Sequence, residues 1–273
     1  MLNGRVASVI GIILVAARLG AQPPATAIHK EYAAINRHDL AGVFSVYSDT
    51  LMYGDLVDTV LPHRTTRATL EAGFAPFLRA NPKGHVTVTH EVDVGPYVIA
   101  VENMSGAGDG NPDEMIDISE VQKGLVVSEL ETGNVASTPA AEVHAADSLV
   151  RAVEAAFSGG DPNTIRDAYQ PTVLFHVWGE DSIQHLTPDK IIQGFFSFRR
   201  QNPKMKYTAQ GQAASGPYVI IHERVTGMAD GSRLDAFAVM LVRGGRIVAE
   251  WESPWLRGLR PRESSAQAAP ARK

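Results

Sequence analysis

The sequence predicts an α+β chain of two tandem cone-shaped domains, each a curved antiparallel sheet covered by three helices. Three observations lead there. First, residues 74–106, FAPFLRANPKGHVTVTHEVDVGPYVIAVENMSG, return as residues 195–227, FFSFRRQNPKMKYTAQGQAASGPYVIIHERVTG, with Phe74 and Phe195, Asn81 and Asn202, and Tyr97 and Tyr218 each 121 residues apart. A period this long is a whole domain rather than a solenoid unit of roughly 20–50 residues. Second, each copy reads as helical periodicity followed by a run of alternating segments, the α+β pattern in which helices cover one face of a sheet. Third, 273 residues with 44% hydrophobic and 20% charged side chains suffice for two cores of ordinary size.

Residues 1–22 read as a secretory leader: Arg5, an apolar run from Val6 to Ala17, then Gly20 and Ala21 before Pro23-Pro24. Arg18 interrupts the run, which falls short of the ~20 apolar residues a membrane span needs. Cleavage after Ala21 would leave an acidic, exported chain with no membrane segment. The first copy, 25–131, opens with a helix from Ala25 to Asn36 carrying Ile28, Tyr32 and Ile35 at helical spacing, and Asp39 caps a second. A short strand is expected over Leu51 to Leu61. A third helix runs from about Thr66 to Ala80, stopped by Asn81-Pro82 because proline disfavours helical geometry in the residue before it. His85–Val94, Tyr97–Met104, Met115–Gln122 and Leu125–Glu131 alternate or run apolar and read as strands.

Residues 132–141, TGNVASTPAA, have linker composition. The second copy, 142–258, repeats the order. Its first helix, about Glu142 to Ser158, ends at Gly159-Gly160, and Asp161-Pro162 and Thr187-Pro188 each pair a capping acceptor with the residue best tolerated at the first helical position. Strands follow at Lys204–Ala214, Tyr218–Met228, Arg233–Val242 and Arg246–Glu252. The tail 259–273 has no apolar periodicity and is expected to be disordered.

Composition excludes several chemistries. There is no cysteine, hence no disulfide, thiolate nucleophile or cysteine metal site, and a net charge of −5 gives no basic footprint for nucleic acid. His176, Asp181 and His185 fit no compact zinc spacing, so no metal is expected, and no cofactor motif is present. Glu250 and Glu252 share a strand face, as do Glu129 and Glu131, and read as solvated edges. Glu102 and Glu223 hold the same repeat position on an otherwise apolar face, where burial would raise a carboxyl pKa. Phe195, Phe196 and Phe198 read as core.

Several stretches resemble the nuclear transport factor 2-like superfamily and, within it, SnoaL-like proteins, over about Ala25–Glu131 and Glu142–Glu252. They are Phe195-x-x-Phe198 with Asn202-Pro203, the strand Val219-Ile220-Ile221-His222 ending at Thr226-Gly227, and the closing strand Gly245-Arg246-Ile247-Val248-Ala249-Glu250-Trp251-Glu252. The superfamily includes isomerases, cyclases, dehydratases, epoxide hydrolases and members that only bind ligands or partners, so the resemblance implies a fold more than an activity. Aldol-type SnoaL cyclases place one histidine on the first strand, a second on the strand after the glycine, and an aspartate on the next. These positions carry over to His176 and His222 in the second copy, where the aspartate position holds Ala238. In the first copy they carry over to Asp117, with Gly54 and Val101 at the histidine positions. Asp235 lies near Ala238 but on the opposite face of its strand.

Strand alternation puts Tyr218, Ile220, His222, Arg224 and Thr226 on one face, either a pocket wall or an ordinary outer face. The expected site is therefore His176, His222, Arg224 and Asp117, with Trp178, Tyr218 and Trp251 lining a small-molecule pocket at the cone mouth. His222 or His176 would act as base and Arg224 as oxyanion partner in proton transfer on a small apolar carbonyl compound. Chemistry would reside in the second copy, the first serving mainly as scaffold. The alternative is a non-catalytic ligand-binding or protein-interaction module with degenerate sites. A linker of about ten residues, spanning on the order of 30 Å, favours pairing of the two copies within a monomer, with Val98, Ala100 and Met104 against Val219, Ile221 and Val225 as the candidate seam, the opposite faces remaining open.

Overall fold

The computed structural model describes residues 23–56, 62–107 and 113–257; the stretch expected to be a leader, Leu61 and the tail expected to be disordered lie outside the described residues. The first repeat contains α1 (Ala25–Ile35), α2 (Leu40–Phe44), β1 (Tyr47–Asp55), β2 (His63–Thr66), α3 (Arg67–Ala80), β3 (His85–Val94), β4 (Tyr97–Ser105), β5 (Asp113–Gln122) and β6 (Leu125–Glu131). The second contains α4 (Ala140–Gly159), α5 (Pro162–Ala168), β7 (Tyr169–Val177), β8 (Gln184–Leu186), α6 (Pro188–Gln201), β9 (Lys206–Ser215), β10 (Tyr218–Thr226), β11 (Leu234–Arg243), β12 (Arg246–Glu252) and β13 (Leu256–Arg257). The two sheets have the same order, β2-β1-β6-β5-β4-β3 and β8-β7-β12-β11-β10-β9. Pairing is antiparallel except where the first long strand of each repeat meets the last, β1 with β6 and β7 with β12, which run parallel.

Local chemistry sets the boundaries. The Asp39 side chain accepts from the Gly42 amide, and Thr66 and Thr187 accept from Thr69 and Lys190, so free amides at three helix starts are satisfied. Asp161 does the same for α5, ahead of Pro162. β1 begins at Tyr47, four residues before the apolar stretch that signals it, because Ser48, Asp49 and Thr50 carry no strand pattern. The short strands β2, β8 and β13 lie below what periodicity can detect. Gly106 and Gly227 hold the same repeat position at φ +72°, and a Cβ on either would overlap the carbonyl oxygen of Lys83 or Lys204. Glycine is therefore required at both places.

Each repeat has its own core between helices and sheet. Val98, Ala100 and Met104 pack with Ile28, Tyr32, Val43 and Phe44 in the first, and Val219, Ile221 and Val225 with Val150, Val153, Phe157 and Ile165 in the second. These six residues were the candidate seam, and they face inward instead. The outer faces meet: Tyr97, Ile99, Val101, Ile116 and Ile118 share one buried cluster with Trp178, Tyr218, Ile220, Phe237, Val239 and Trp251. The Tyr97 ring lies 5.1 Å from Phe237 and 5.7 Å from Trp178. The reason lies in Glu102 and Glu223, which stand on the same strand faces as these six residues. On the seam they would be carboxyls in an apolar interface, a costly placement; facing inward they meet tyrosine hydroxyls.

Candidate functional site

The expected site residues lie mostly on the outer face of the second sheet. Trp178, Tyr218 and Trp251 are buried where the two repeats meet. Trp178 Nε1 donates to Glu120 of the first repeat at 3.2 Å, and the Tyr218 hydroxyl donates to the Leu56 carbonyl at 3.0 Å. His176 is the register partner of Trp251, with Nδ1 3.2 Å from the Ser182 carbonyl oxygen, and burial lowers its pKa. His222 stands on β10, three strands from β7 in the order β7-β12-β11-β10, which places it roughly 14 Å away. The two histidines therefore do not converge on one cavity.

His222 and Arg224 instead meet Asp235. Arg224 is the register partner of Asp235, so both point to the outer face without any bulge. His222 Nε2 is 3.1 Å and Arg224 Nε 2.7 Å from Asp235 Oδ1, and Arg233 Nε is 2.8 Å from Oδ2. Asp235 has no exposed surface. Burial raises its pKa, but the hydrogen bonds from His222 and Arg224 and the charges of Arg224 and Arg233 outweigh it, and the net shift is downward. A carboxylate held by three side chains, two of them guanidinium groups, ties an outer face together.

The inner faces carry the buried acids and tyrosines. In the first repeat the Tyr47 hydroxyl sits 2.6 Å from Glu31 Oε1 and 2.9 Å from Glu129 Oε1, and the Tyr32 hydroxyl contacts Glu102 and, at 3.3 Å, Asp117 Oδ2. In the second, the Tyr207 hydroxyl lies 2.6 Å from both Glu154 Oε2 and Glu223 Oε1, and Tyr169 donates to Glu250 at 2.9 Å. All these acids and tyrosines are buried. A tyrosine has one proton to donate. Where its oxygen approaches two carboxyls, one of them must carry a proton, so each cone holds at least one neutral carboxylic acid.

Burial is the first cause of every upward shift here. It pushes Glu102 up to about 8 against the Tyr32 hydrogen bond, and Glu154 up to about 7 against Tyr207. Asp117 is raised by burial and then by the charges of Glu129 and Glu102, and Glu223 by burial and then by Glu154. Glu31 Oε2, Glu154 Oε1 and Glu223 Oε2 are buried with no hydrogen-bond partner. Glu129 and Glu250, expected at solvated edges, are 4% exposed. The available signal was repetition: Glu102 and Glu223, Glu129 and Glu250, and Glu131 and Glu252 all keep the 121-residue offset.

A hollow of about 200 Å³ lined by Ala41, Phe44, Ser45, Arg67 and Glu71 opens on the first repeat. The Phe44 ring on its floor is 5.3 Å from that of Tyr47, whose hydroxyl meets Glu31 and Glu129, so two buried rings separate the hollow from these acids. In the second repeat the corresponding cluster lies beneath Phe195, 4.7 Å from Phe157 and 5.7 Å from Tyr207. Among the described residues no group of histidines and acids is arranged to hold a metal ion, and no helix is long and apolar enough to cross a membrane.

Solved structures similar to part of the chain include three from bacteria. One is a provisionally assigned ketosteroid isomerase from Kribbella flavida, 16% identical with TM-score 0.37, covering 48% of this chain and 93% of its own. Another is IdmH of Streptomyces antibioticus, a provisionally assigned polyketide cyclase, 20% identical with TM-score 0.36, covering 39% and 89%. The third is an LEH-like epoxide hydrolase of M. tuberculosis, 18% identical with TM-score 0.34, covering 41% and 84%. None of their activities is transferred to this chain. No curated protein matches the chain. The sequence profile of the SnoaL-like domain matches residues 28–129 and again 150–250, more than half of the chain and in step with the two sheets. With the duplicated helix-then-sheet order and the inward-facing acids, this makes the chain a member of the SnoaL-like domain family carrying two copies of the domain.

Proposed function

We propose that the chain is an exported small-molecule protein in which buried carboxyls of the first cone move protons on a small apolar carbonyl compound. The observation that carries this reading is the Tyr47 hydroxyl shared between Glu31 and Glu129, because it requires a neutral acid beside a carboxylate, the two forms general acid–base catalysis needs. The hollow above Phe44 supports entry on this side, and Arg67, which lines it, offers a guanidinium to an enolate oxygen. This moves the expected chemistry from the second copy to the first and from histidine to carboxyl. Asp117 stays in the proposed site, beside Tyr32 and Glu129.

Proton transfer is read by deuterium uptake at the α-carbon of 1-indanone or 2-cyclohexenone, followed by NMR with the mature chain in D₂O. Exchange above the buffer rate is expected, reduced at least about tenfold by Glu129→Gln or Asp117→Asn and unchanged by His222→Ala. Loss on His222→Ala with the acid variants intact would return the chemistry to the outer face, and buffer-rate exchange with both ketones would end the catalytic reading. Binding without turnover is the second reading. It is favoured by the way each cone is filled by its own side chains, and it is recognised by saturation transfer to the ketone without exchange.

We also infer that the mature chain is a monomer whose two copies pair internally. The apolar set around Tyr97 and Phe237 supports this, since the surface that single domains would use between chains is already covered within one. Light scattering at low micromolar concentration is expected to give the mass of one chain, and twice that mass would refute the inference. Export is tested by fractionating cells that express the full sequence.

A further inference from the structure

A second cavity, of about 640 Å³, lies outside both cones where the linker, α4, the end of β9 and the ends of β4 and β5 come together. Its volume falls within the range of small-molecule sites. Both repeats and the linker build it: Asn103 and Glu114 come from the first repeat, Val135 from the linker, and Val143, Gln212 and Ala213 from the second. The linker wall is fixed in place. The Val135 amide donates to the Glu114 carbonyl at 2.8 Å, and Val135 packs so closely on Gly216 that a Cβ there would overlap it.

The polar groups of this groove are unevenly satisfied. Asp147 is fully engaged, with Arg151 Nε at 2.9 Å and Gln212 Nε2 at 2.8 Å. Glu114 takes one side-chain hydrogen bond, from the buried Ser215 hydroxyl at 2.6 Å, and has no ion-pair partner among the described residues. Gln212 spends its amide protons on Asp147, which leaves its carbonyl oxygen as an acceptor, and the Asn103 amide makes no side-chain hydrogen bond among the described residues. The lining thus includes the Glu114 carboxylate and the side-chain amides of Asn103 and Gln212. Beside it lies an apolar wall of Val135, Val143 and Ala213.

We propose that this groove is a binding site for a small organic amine with an apolar body. An ammonium has three donors and one positive charge, which match three oxygen acceptors and one carboxylate lacking a cation. A carboxylate ligand would meet Glu114 as a like charge, Asp147 being paired with Arg151, while His144 also lines the groove. The site exists only because two domains are joined, so it is separate from the cone chemistry.

The test is calorimetric titration of the mature chain with phenethylamine, 2-phenylethanol and 3-phenylpropanoate, which share a phenyl body and differ in the charge of the head. Phenethylamine is expected to bind at least about tenfold more tightly than the alcohol, with no heat from the carboxylate. Glu114→Gln is expected to cost the amine about tenfold in affinity while leaving the melting temperature near wild type. Gly216→Ala, which displaces Val135, is expected to weaken amine and alcohol together. Equal binding of amine and alcohol, amine affinity unchanged in a folded Glu114→Gln chain, or no saturation by roughly 10 mM amine would each overturn the proposal.

Discussion

Raising the pH from 5 to 8 is expected to weaken this protein, the reverse of the usual behaviour of a protein rich in acids. Paired surface carboxylates have lowered pKa values and lend stability that is lost in acid. The cone acids have raised values. A carboxyl whose pKa is higher folded than unfolded binds more protons in the native state, so its contribution is complete below the unfolded value and disappears as pH climbs through the folded one. For Glu154 the window runs from its ordinary 4.5 to about 7. At 1.36 kcal/mol per pKa unit this amounts to about 3 kcal/mol. Burial raises it, the Tyr207 hydrogen bond works against that and the Glu250 charge adds to it, and Glu154→Gln preserves the shape and a hydrogen bond to Tyr207 while removing the ionisation. Urea midpoints at pH 5, 6, 7 and 8 should fall for the wild type and fall less steeply for Glu154→Gln. His176 works the other way, since its lowered pKa favours the fold as pH rises through 6.5, but it is one group against several. A wild-type midpoint that stays level or rises across this range, or a Glu154→Gln slope equal to wild type, would refute the proton assignment.

Two further outcomes rest on single positions. Asp235→Asn leaves Arg224 and Arg233 without their carboxylate on a largely buried face and is expected to cost about 3–5 kcal/mol in urea unfolding; a cost below about 1 kcal/mol would mean the cluster is solvated. Gly227→Ala combines a left-handed backbone with overlap on the Lys204 carbonyl and is expected to lose at least about 2 kcal/mol, and Gly106→Ala a similar amount, whereas Gly231→Ala meets no neighbouring atom and should cost only the backbone term.

Much of the fold was legible because it is written twice. The 121-residue offset, the capped helix starts at Asp39, Asp161 and Thr187, and the strand from Tyr218 all follow from local rules that operate within a few residues. The strands β2, β8 and β13 escaped because two to four residues cannot show a period, and β1 was entered late because its first turns of alternation are polar. The parallel contact of β1 with β6 joins residues such as Tyr53 and Glu129, far apart in sequence, and no local pattern encodes it.

Which strand face is inside is hidden from the sequence for a different reason. Alternation along β10 separates Tyr218, Ile220, His222 and Arg224 from Val219, Ile221, Glu223 and Val225, yet period two assigns side chains to two faces without saying which is inside. Both faces are largely apolar, because one meets the helices and the other meets the second repeat. Hydrophobicity therefore cannot break the tie. The polar residues can, by what they need. Arg224 and His222 require an anion, and Asp235 supplies one across a single register pair at the edge of the seam, where Arg224 keeps 27% of its side-chain surface exposed. Glu223 requires a donor, and Tyr207 on the neighbouring strand β9, with Glu154 beyond it on α4, supplies one inside. The same requirement turns Glu102 toward Tyr32 in the first repeat, where Asp117 stands on the same face. A buried carboxyl is placed by its proton partners, and in this chain those partners are tyrosines of the cones, which is why acid–base chemistry is to be sought there rather than among the histidines.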